Sequence, residues 1–290
     1  MQKKLLVTVS DDISYLHGVR FVGSFFMNKQ AVSVTLVYVA PRADIAGGRK
    51  GPDGGLELDK QAAEAGRKKG HAALDAARKM LLDRGFPAEN VTSQFIYRQF
   101  GTVKDIIREA RSGQYDAVVL GRRGYMIFES VFGMSMTKEI LDQGIETPIW
   151  VCRNPEESRR NVLLCVDGSD SSLRMVDHAG FMLKDENEHS VTLFHVDSGE
   201  GQDREAIFKE ARKVLLDNWI SNGRVKSVVS SSTVTNVAKT ILDEAQASAY
   251  AVVGVGRAGI HKGRLKEWLV GSRTMKVLET IEKASLWVSS

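Results

Sequence analysis

An internal repeat constrains the fold of this chain more than any other feature of its sequence. Apolar runs of five residues recur 157 positions apart: residues 5–9 with 162–166, and residues 35–39 with 192–196. The offset falls to 135 between Gly121 and Gly256, and it becomes 137 between Trp150 and Trp287. Nearly constant offsets over several elements indicate a duplication, and 290 residues are enough for two domains.

The place where the pattern restarts gives the domain boundaries. We predict a first domain at residues 1–153, a polar linker at 154–160 with the sequence NPEESRR, and a second domain at 161–290. Each half is long enough to bury a core. The change in offset places about 22 extra residues in the first half, mostly a glycine-rich surface loop at 46–55 and a long helix. The sequence assigns no role to this loop.

Within each half, short apolar runs alternate with helical patterns. In the first half strands are predicted at residues 5–9, 34–39, 91–97, 115–120 and 148–152, and helices at 14–26, 58–84, 102–110 and 134–141. Such alternation is typical of a doubly wound sheet. We predict an α/β fold of two tandem doubly wound domains, each with a five-stranded, mainly parallel sheet flanked by helices. Ligands of these sheets lie at the carboxyl ends of the strands.

A glycine motif, GVGRAG at residues 254–259, follows the fourth predicted strand of the second half. It satisfies G-x-G-x-x-G, but a dinucleotide fingerprint should follow the first strand of its unit. Gly254 corresponds to Val119 in the repeat, so only Gly256 and Gly259 recur. These two glycines therefore indicate a turn whose backbone N–H groups suit a phosphate, and not a dinucleotide-binding domain.

Composition and charge argue against several classes of function. The formal net charge of +4 is weak, and the sequence shows neither an arm of clustered Lys and Arg nor a face rich in aromatic and basic residues. No nucleic-acid partner is predicted. The sequence has no run of about 18 apolar residues, and the apolar stretch near the N-terminus is too short for a signal peptide. We expect a cytoplasmic protein without a membrane segment.

Neither the cysteines nor the histidines form a recognisable reactive site. Cys152 and Cys165 lie in apolar strand-like runs and are expected to be reduced, buried side chains. The six histidines lack metal-ligand spacing, so no metal site is predicted, and His195 within a strand is expected to be structural. No Ser/His/Asp arrangement or general base is evident, and we assign no catalytic residue.

Residues at two strand ends carry a resemblance to a known family. The run VDGS at 166–169 follows the first strand of the second half, and the fourth strand leads into G-x2-G and then Gly271-Ser272. This pattern resembles the universal stress protein family over essentially the whole chain, twice. The chain is therefore identified as a tandem universal stress protein. In that family the acid after the first strand contacts the nucleoside, and the glycine turn and G-[ST] helix start hold the phosphates of ATP.

The resemblance implies an adenine nucleotide as ligand, ATP or else AMP or ADP, with or without Mg, chiefly in the second domain. Carried over residue by residue, it assigns the following residues to that site: Asp167, Gly168, Ser169, Gly256, Arg257, Gly259, Gly271, Ser272 and Thr274. The spacing departs from the family pattern, because eleven residues at 260–270 separate Gly259 from Gly271, instead of about nine. Two extra loop residues add little closure entropy.

The first half keeps the spacing but alters the residues. The corresponding candidates are Ser10, Gly121, Gly124 and Ser135. Met134 replaces the glycine before Ser135, and Ser10 stands where the acid belongs. A side chain is a steric obstacle where the backbone must approach a phosphate closely. We therefore expect a degenerate site in the first half.

The fifth predicted strands contain Trp150 and Trp287 and have the character of apolar sheet edges. In the family this strand forms the dimer contact. The two halves of a tandem chain can pair with each other through it, which predicts an internal pseudo-dimer and covers an edge that would otherwise aggregate. A homodimer of whole chains also fits the resemblance.

Three functions follow from the sequence. The leading prediction is a stress-response protein that binds an adenine nucleotide. The second is a structural or interaction protein of the stress response in which both sites are degenerate, and nucleotide retained by the purified protein would distinguish the two. The third is a weak ATPase, for which the sequence identifies no metal ligand or water-positioning group.

Overall fold

The computed structural model of the chain describes residues 2–40, 55–121, 147–199, 201–233, 236–257, 277 and 280–289. The strands are β1 (Lys3–Thr8), β2 (Val32–Ala40), β3 (Val91–Tyr97), β4 (Ala117–Gly121), β5 (Ile149–Cys152), β6 (Val162–Cys165), β7 (Val191–Asp197), β8 (Val225–Ser231), β9 (Val252–Gly256) and β10 (Ser285–Ser289). The α-helices are α1 (His17–Phe25), α2 (Gly55–Asp83), α3 (Thr102–Ser112), α4 (Asp170–Leu183), α5 (Arg204–Asp217) and α6 (Val237–Ala247).

The ten strands of the described residues belong to one sheet, in the order β3-β2-β1-β4-β5-β10-β9-β6-β7-β8. The pairs within each half are parallel, whereas β5 and β10 pair antiparallel at the centre. Each half thus contributes a five-stranded, doubly wound sheet. The predicted fold class is confirmed, including the pairing of the two halves through their fifth strands.

The inner strands are buried on both faces, which explains their nearly continuous apolar runs, whereas the outer strands β3 and β8 are partly exposed. Alternate residues of β1 enter different cores: Leu5 and Val7 pack with α1 and α2, whereas Leu6 packs with α3. In the second half α4 and α5 cover the first face and α6 the second. The carboxyl ends of β6 and β9 are neighbours because these strands pair directly.

Two tryptophans mark the junction of the halves. Trp150 of β5 lies opposite Trp287 of β10, and their ring centroids are 3.9 Å apart with the planes inclined by 5°. Nε1 of Trp150 donates to Nε2 of the buried His178 at 3.0 Å. Among the described residues, Nε1 of Trp287 has no hydrogen-bond acceptor. The junction is therefore symmetric in its strands but not in its hydrogen bonds.

Polar contacts between the halves surround this apolar junction. The ammonium of Lys3, which is 0% exposed, lies 2.8 Å from the carboxylate of Asp185. The carboxylate of Glu186 accepts hydrogen bonds from the backbone N–H groups of Met27 at 2.8 Å and Asn28 at 3.1 Å. These bonds satisfy backbone donors just beyond the end of α1 with a side chain from the other half.

The predicted linker is anchored to the first half by one carboxylate. Glu157 pairs with Arg84 at 2.9 Å and with Arg20 at 3.4 Å. A Cβ at Gly23 would lie 2.6 Å from Cδ of Arg84. Because Gly23 has no side chain, the side chain of Arg84 can pack directly against α1. The linker therefore has a fixed path along α1.

Most predicted elements are present within a few residues, and β3 has the predicted bounds. The helix predicted at residues 14–26 is wrong at its start, because Ile13–Tyr15 forms a 3-10 turn before α1 begins at His17. Oδ1 of Asp12 accepts from both N and Oγ of Ser14, which competes with helix formation. The length difference is as predicted, since α2 has 29 residues and α5 has 14.

Two predictions cannot be compared with the structure. The helix predicted at residues 134–141 and most of the glycine-rich loop, residues 46–54, lie outside the described residues. Gly55, the last residue of that loop, begins α2. Among the helices that the structure describes, none is both long and apolar enough to cross a membrane.

Candidate functional site

In the second half, the turn after β6 is closed by one acidic side chain. Oδ1 of Asp167 accepts hydrogen bonds from the backbone N of Ser169 at 3.0 Å and from its Oγ at 2.6 Å. Gly168 between them has φ +77°, a conformation in which a side chain would be strained. Both bonds are accepted by Oδ1, and Oδ2 takes part in neither of them.

The same turn begins helix α4. Ser169 is its N-cap, and its Oγ accepts from the backbone N of Ser172 at 3.2 Å. The hydroxyl of Ser172 in turn donates to the carbonyl of Ser169 at 2.8 Å. A capped helix start concentrates backbone N–H groups and the positive end of the helix dipole at one place. The carboxyl edge of the sheet therefore carries a helix start that suits an anion.

Gly256 at the end of β9 lies against this helix start. A Cβ at Gly256 would be 2.7 Å from the backbone carbon of Ser171 and 2.7 Å from the backbone nitrogen of Ser172. The missing side chain allows strand β9 to approach the first turn of α4 closely. Gly256 thus has a packing role in addition to the phosphate contact predicted for it.

Gly254, which the repeat excludes from the motif, also has a packing role. A Cβ there would lie 2.7 Å from Cδ2 of Leu164 and 3.0 Å from Cγ of Met175 on α4. The G-x-G of this strand therefore reflects the close contact between β9 and α4. This agrees with the rejection of a dinucleotide fingerprint.

Arg257 follows Gly256 and is fixed through its backbone. Its N–H donates to the carbonyl of Ser289 at 2.9 Å, and Oγ of Ser289 donates to the carbonyl of Ser171 at 3.1 Å. The end of β10 thereby joins β9 to the first turn of α4. Since the amide of Arg257 is used in this way, its contribution to an anionic ligand would come from the guanidinium.

The structure thus brings part of the predicted site together at one edge of the sheet. Five of the predicted residues lie there: Asp167, Gly168, Ser169, Gly256 and Arg257. Gly259, Gly271, Ser272 and Thr274 lie outside the described residues. Their assignment to the phosphates stays a prediction.

Two residues outside the predicted site, His195 and Cys165, lie next to the turn. Nδ1 of the buried His195 lies 2.8 Å from the carbonyl of Val166, directly before Asp167, which bears out a structural role for this histidine. Burial, together with the negative charge of Asp167, raises the pKa of the Cys165 thiol, so this cysteine stays protonated. Both cysteines are free; Cys152 is buried as predicted, whereas Cys165 is only partly buried. A polar histidine within an apolar strand is the one sequence signal for this support.

The first half has a different arrangement at the equivalent edge. Ser10, which replaces the acid, has its Oγ 3.4 Å from Oδ1 of Asp11, and the backbone N of Asp12 donates to that Oγ at 3.3 Å. Helix α1 starts after Leu16, which provides no side-chain hydrogen bond as a cap. A Cβ at Gly121 would be 3.0 Å from the carbonyl oxygen of Tyr15. Gly121 therefore also lies beside a helix start, but the nearest backbone nitrogen, that of Gly18, would be 3.6 Å from its Cβ, compared with 2.7 Å for that of Ser172 at Gly256. Gly124 and Ser135 lie outside the described residues.

Within the described ranges, no group of three or more His, Cys, Asp or Glu side chains is arranged to hold a metal ion.

The second half of the chain matches a known family, and the whole chain has known structural neighbours. Residues 158–288 match the universal stress protein family. A universal stress protein from Archaeoglobus fulgidus DSM 4304 is 17% identical with a TM-score of 0.67, covering 99% of this chain and 98% of that chain. A functionally unknown protein from Pseudomonas aeruginosa PAO1 is 13% identical with a TM-score of 0.56, covering 99% and 92%. No curated protein matches this chain in sequence.

A smaller structural neighbour covers only part of the chain. It is a universal stress protein solved in complex with cAMP, which is 21% identical and covers 45% of this chain and 95% of its own. Its TM-score of 0.37 is too low to support an inference about a ligand here. At these identities the full-length neighbours show the fold of the whole chain, including that of the first half.

Proposed function

We propose that the chain, whose second half matches the universal stress protein family, is a stress-response protein that binds an adenine nucleotide, ATP or AMP, chiefly in the second domain. One observation carries the proposal. Asp167, the Ser169-capped start of α4, and Gly256 meet at the carboxyl edge of β6 and β9. A carboxylate beside a helix start offers an acceptor for ribose hydroxyls and donors for phosphates.

Each described residue has a distinct task in this proposal. Oδ2 of Asp167 accepts a hydrogen bond from a ribose hydroxyl, while Oδ1 keeps the turn closed through Ser169. The first turn of α4 directs its dipole toward the phosphates, and Arg257 adds a positive charge beside them. By the family resemblance, Gly271 and Ser272 complete the phosphate contacts. Magnesium that accompanies ATP is held largely by phosphate oxygens and water.

A conservative substitution tests the carboxylate without disturbing the turn. Asp167→Asn keeps Oδ1 as the acceptor for Ser169 but replaces the second oxygen with an N–H donor. We expect nucleotide affinity to fall by about 10-fold to 100-fold, because a charged hydrogen bond contributes about 1.5–3 kcal/mol. Fluorescent-ATP titration of the full chain measures this effect. Ser10→Ala, at the equivalent position of the first half, is the matched control and should leave the affinity unchanged.

Native mass spectrometry of the purified chain tests the proposal independently of any variant. We expect a retained adenine nucleotide that is absent from Asp167→Asn. Repeated absence of nucleotide from the native chain, together with no thermal shift on adding ATP, would instead support the structural or interaction function.

A further inference from the structure

A groove outside the proposed nucleotide site lies along α3 in the first half. It has a volume of about 590 Å³ and is lined by Phe100, Lys104, Ile107, Arg108, Arg111 and Ser112. We call it the α3 groove. Its floor is apolar, because Ile107 belongs to the buried core, and three of its six lining residues carry a positive charge.

The aromatic ring in this groove is held in place by a buried carboxylate. Asp105, which is 5% exposed, accepts hydrogen bonds from the backbone N of Gln99 at 2.8 Å and from the backbone N of Phe100 at 3.1 Å. These bonds fix the connection between β3 and α3. Phe100 is nevertheless 62% exposed. A large apolar side chain is thus presented to solvent by a rigid, internally bonded turn.

Positive charges follow the ring along the helix. Cζ of Arg108 lies 5.7 Å from the centroid of Phe100, within the range of a cation–π contact. Lys104 and Arg111 lie four residues before and three residues after Arg108, so all three share one face of α3. Seven residues of α-helix span roughly 10 Å. The charges therefore form a line beside the ring and not a single point.

The fold itself does not require this charge. Helix α6 occupies the same place in the second half and contributes Val237 and Ile241 to the same core face to which α3 contributes Val103 and Ile106. At the positions equivalent to Lys104, Arg108 and Arg111, the second half has Lys239, Asp243 and Gln246. Two helices with the same packing task thus differ in charge on their outer faces. The basic line is a property of the first half alone.

We propose that the α3 groove binds a short single strand of nucleic acid, with a base stacked on Phe100 and successive phosphates paired with Arg108, Arg111 and Lys104. Aromatic rings beside a basic line are the usual elements of single-strand binding, since every base has a face that can stack. A free nucleotide would use only part of a line of about 10 Å. An acidic peptide would use the charges but not the ring.

The sequence alone predicts no nucleic-acid partner, because it shows neither an arm of clustered Lys and Arg nor a face rich in aromatic and basic residues. Phe100 precedes the helix, and it reaches Arg108 only because Asp105 fixes the turn. The combination of ring and charge is therefore visible only in the folded chain.

Fluorescence anisotropy of the full chain with a labelled ten-nucleotide oligo-dT tests the proposal. Phe100→Ala should weaken binding by about 5-fold to 100-fold, which corresponds to one lost base stack, and Phe100→Trp should restore it. Arg108→Glu should also weaken binding and reduce the slope of log affinity against log salt by about 0.7 or more. Thermal melting checks folding, which substitution of the exposed ring should leave unchanged.

Controls separate this proposal from general electrostatics and from the nucleotide site. Lys69→Glu makes the same change of charge on the exposed part of α2 and should not affect oligo-dT. Asp167→Asn should weaken ATP but not oligo-dT, so either proposal can fail alone. Binding of oligo-dT that is unaffected by Phe100→Ala, or equal binding of poly-glutamate, would overturn the proposal, as would no oligo-dT binding at low salt.

Discussion

The two halves fill equivalent space between helix and strand with opposite choices of residue. In the first half, Gly18 of α1 faces Val119, and a Cβ at residue 18 would lie 3.1 Å from Cγ1 of that valine. In the second half, the position of Gly18 is occupied by Met175 and that of Val119 by Gly254. The small residue has moved from helix to strand. The apparent glycine motif in β9 is therefore, in part, one side of a packing exchange.

The halves also differ where a ligand would bind. The second half closes its first turn with Asp167 and begins α4 directly with the Ser169 cap, whereas the first half inserts a 3-10 turn before α1. By the repeat, α1 starts four residues later than α4. Only the second half therefore presents a capped helix start beside a glycine of the neighbouring strand. This difference supports the proposal that the nucleotide binds in the second half.

The packing exchange predicts the largest energetic effects. Met175→Gly should lower the free energy of unfolding by about 4 kcal/mol, because it leaves a cavity and puts glycine in a helix. Gly254→Val should lower it by about 2 kcal/mol through overpacking. The double variant has the residue pair of the first half. It should be about 2 kcal/mol more stable than the sum of the two single effects predicts. Urea unfolding measures this coupling, and simple additivity of the two effects would contradict the exchange.

The two strand-end glycines should respond unequally to a methyl group. Gly256→Ala should destabilise the chain by about 3 kcal/mol, because the new Cβ would lie 2.7 Å from backbone atoms of Ser171 and Ser172. Gly121→Ala, with its nearest contact at 3.0 Å, should cost about 1 kcal/mol. Denaturant midpoints of the two variants provide the comparison. Equal effects would show that the two helix starts approach their strands equally closely.

The asymmetric hydrogen bond at the tryptophan pair predicts an effect that depends on pH. His178→Phe introduces the residue found at the equivalent position of the first half, Phe21. It leaves Nε1 of Trp150 without its acceptor, which should lower the free energy of unfolding by about 2 kcal/mol at pH 7.5. Burial lowers the pKa of His178 to about 3. Below pH 6.5 the unfolded chain therefore binds a proton that the folded chain does not, and stability falls by about 1.4 kcal/mol per pH unit.

The phenylalanine variant does not lose stability in this way. The difference in free energy of unfolding between the native chain and the variant should therefore shrink as the pH is lowered. At pH 5 the native chain has already lost about 2 kcal/mol through His178, and the variant should then be nearly as stable as the native chain. His178 shares a small cavity with Asp116, Arg174 and Asp177, none of which the substitution changes. Thermal unfolding at both pH values tests the prediction. A cost of the same size at pH 5 and pH 7.5 would contradict a neutral, buried histidine.

The smallest predicted effect concerns the cap itself. Ser169→Ala removes both the acceptor for the N–H of Ser172 and the donor to Asp167, and should lower stability by about 1 kcal/mol. Leu16→Ser would offer α1 a cap that it lacks but should still lower stability, because the loss of a buried leucine costs about 2–5 kcal/mol and exceeds the contribution of a cap. Guanidinium unfolding resolves the first change. No loss of stability on removing the hydroxyl would mean that the cap does not hold the turn.

Much of this architecture is predictable from the sequence because the repeat and the apolar runs report long-range order directly. The strand β3 follows from its apolar pattern, and the pairing of the fifth strands follows from the repeat together with the family resemblance. The start of α1 does not, since hydrogen bonds that Ser14 donates to the carboxylate of Asp12 decide it locally. The packing role of Gly254 also requires the structure, because only the contact with Met175 reveals it. Likewise, the position of Phe100 depends on the buried carboxylate of Asp105.

The central claim is that the second half provides the nucleotide site, and the number of nucleotides bound per chain tests it most directly. Isothermal titration calorimetry of the full chain with ATP should give one nucleotide per chain. Binding should be lost in Gly271→Met, which copies Met134 of the first half, and kept in Ser10→Ala. Two nucleotides per chain of similar affinity, or binding that survives Gly271→Met and fails in Ser10→Ala, would contradict the account.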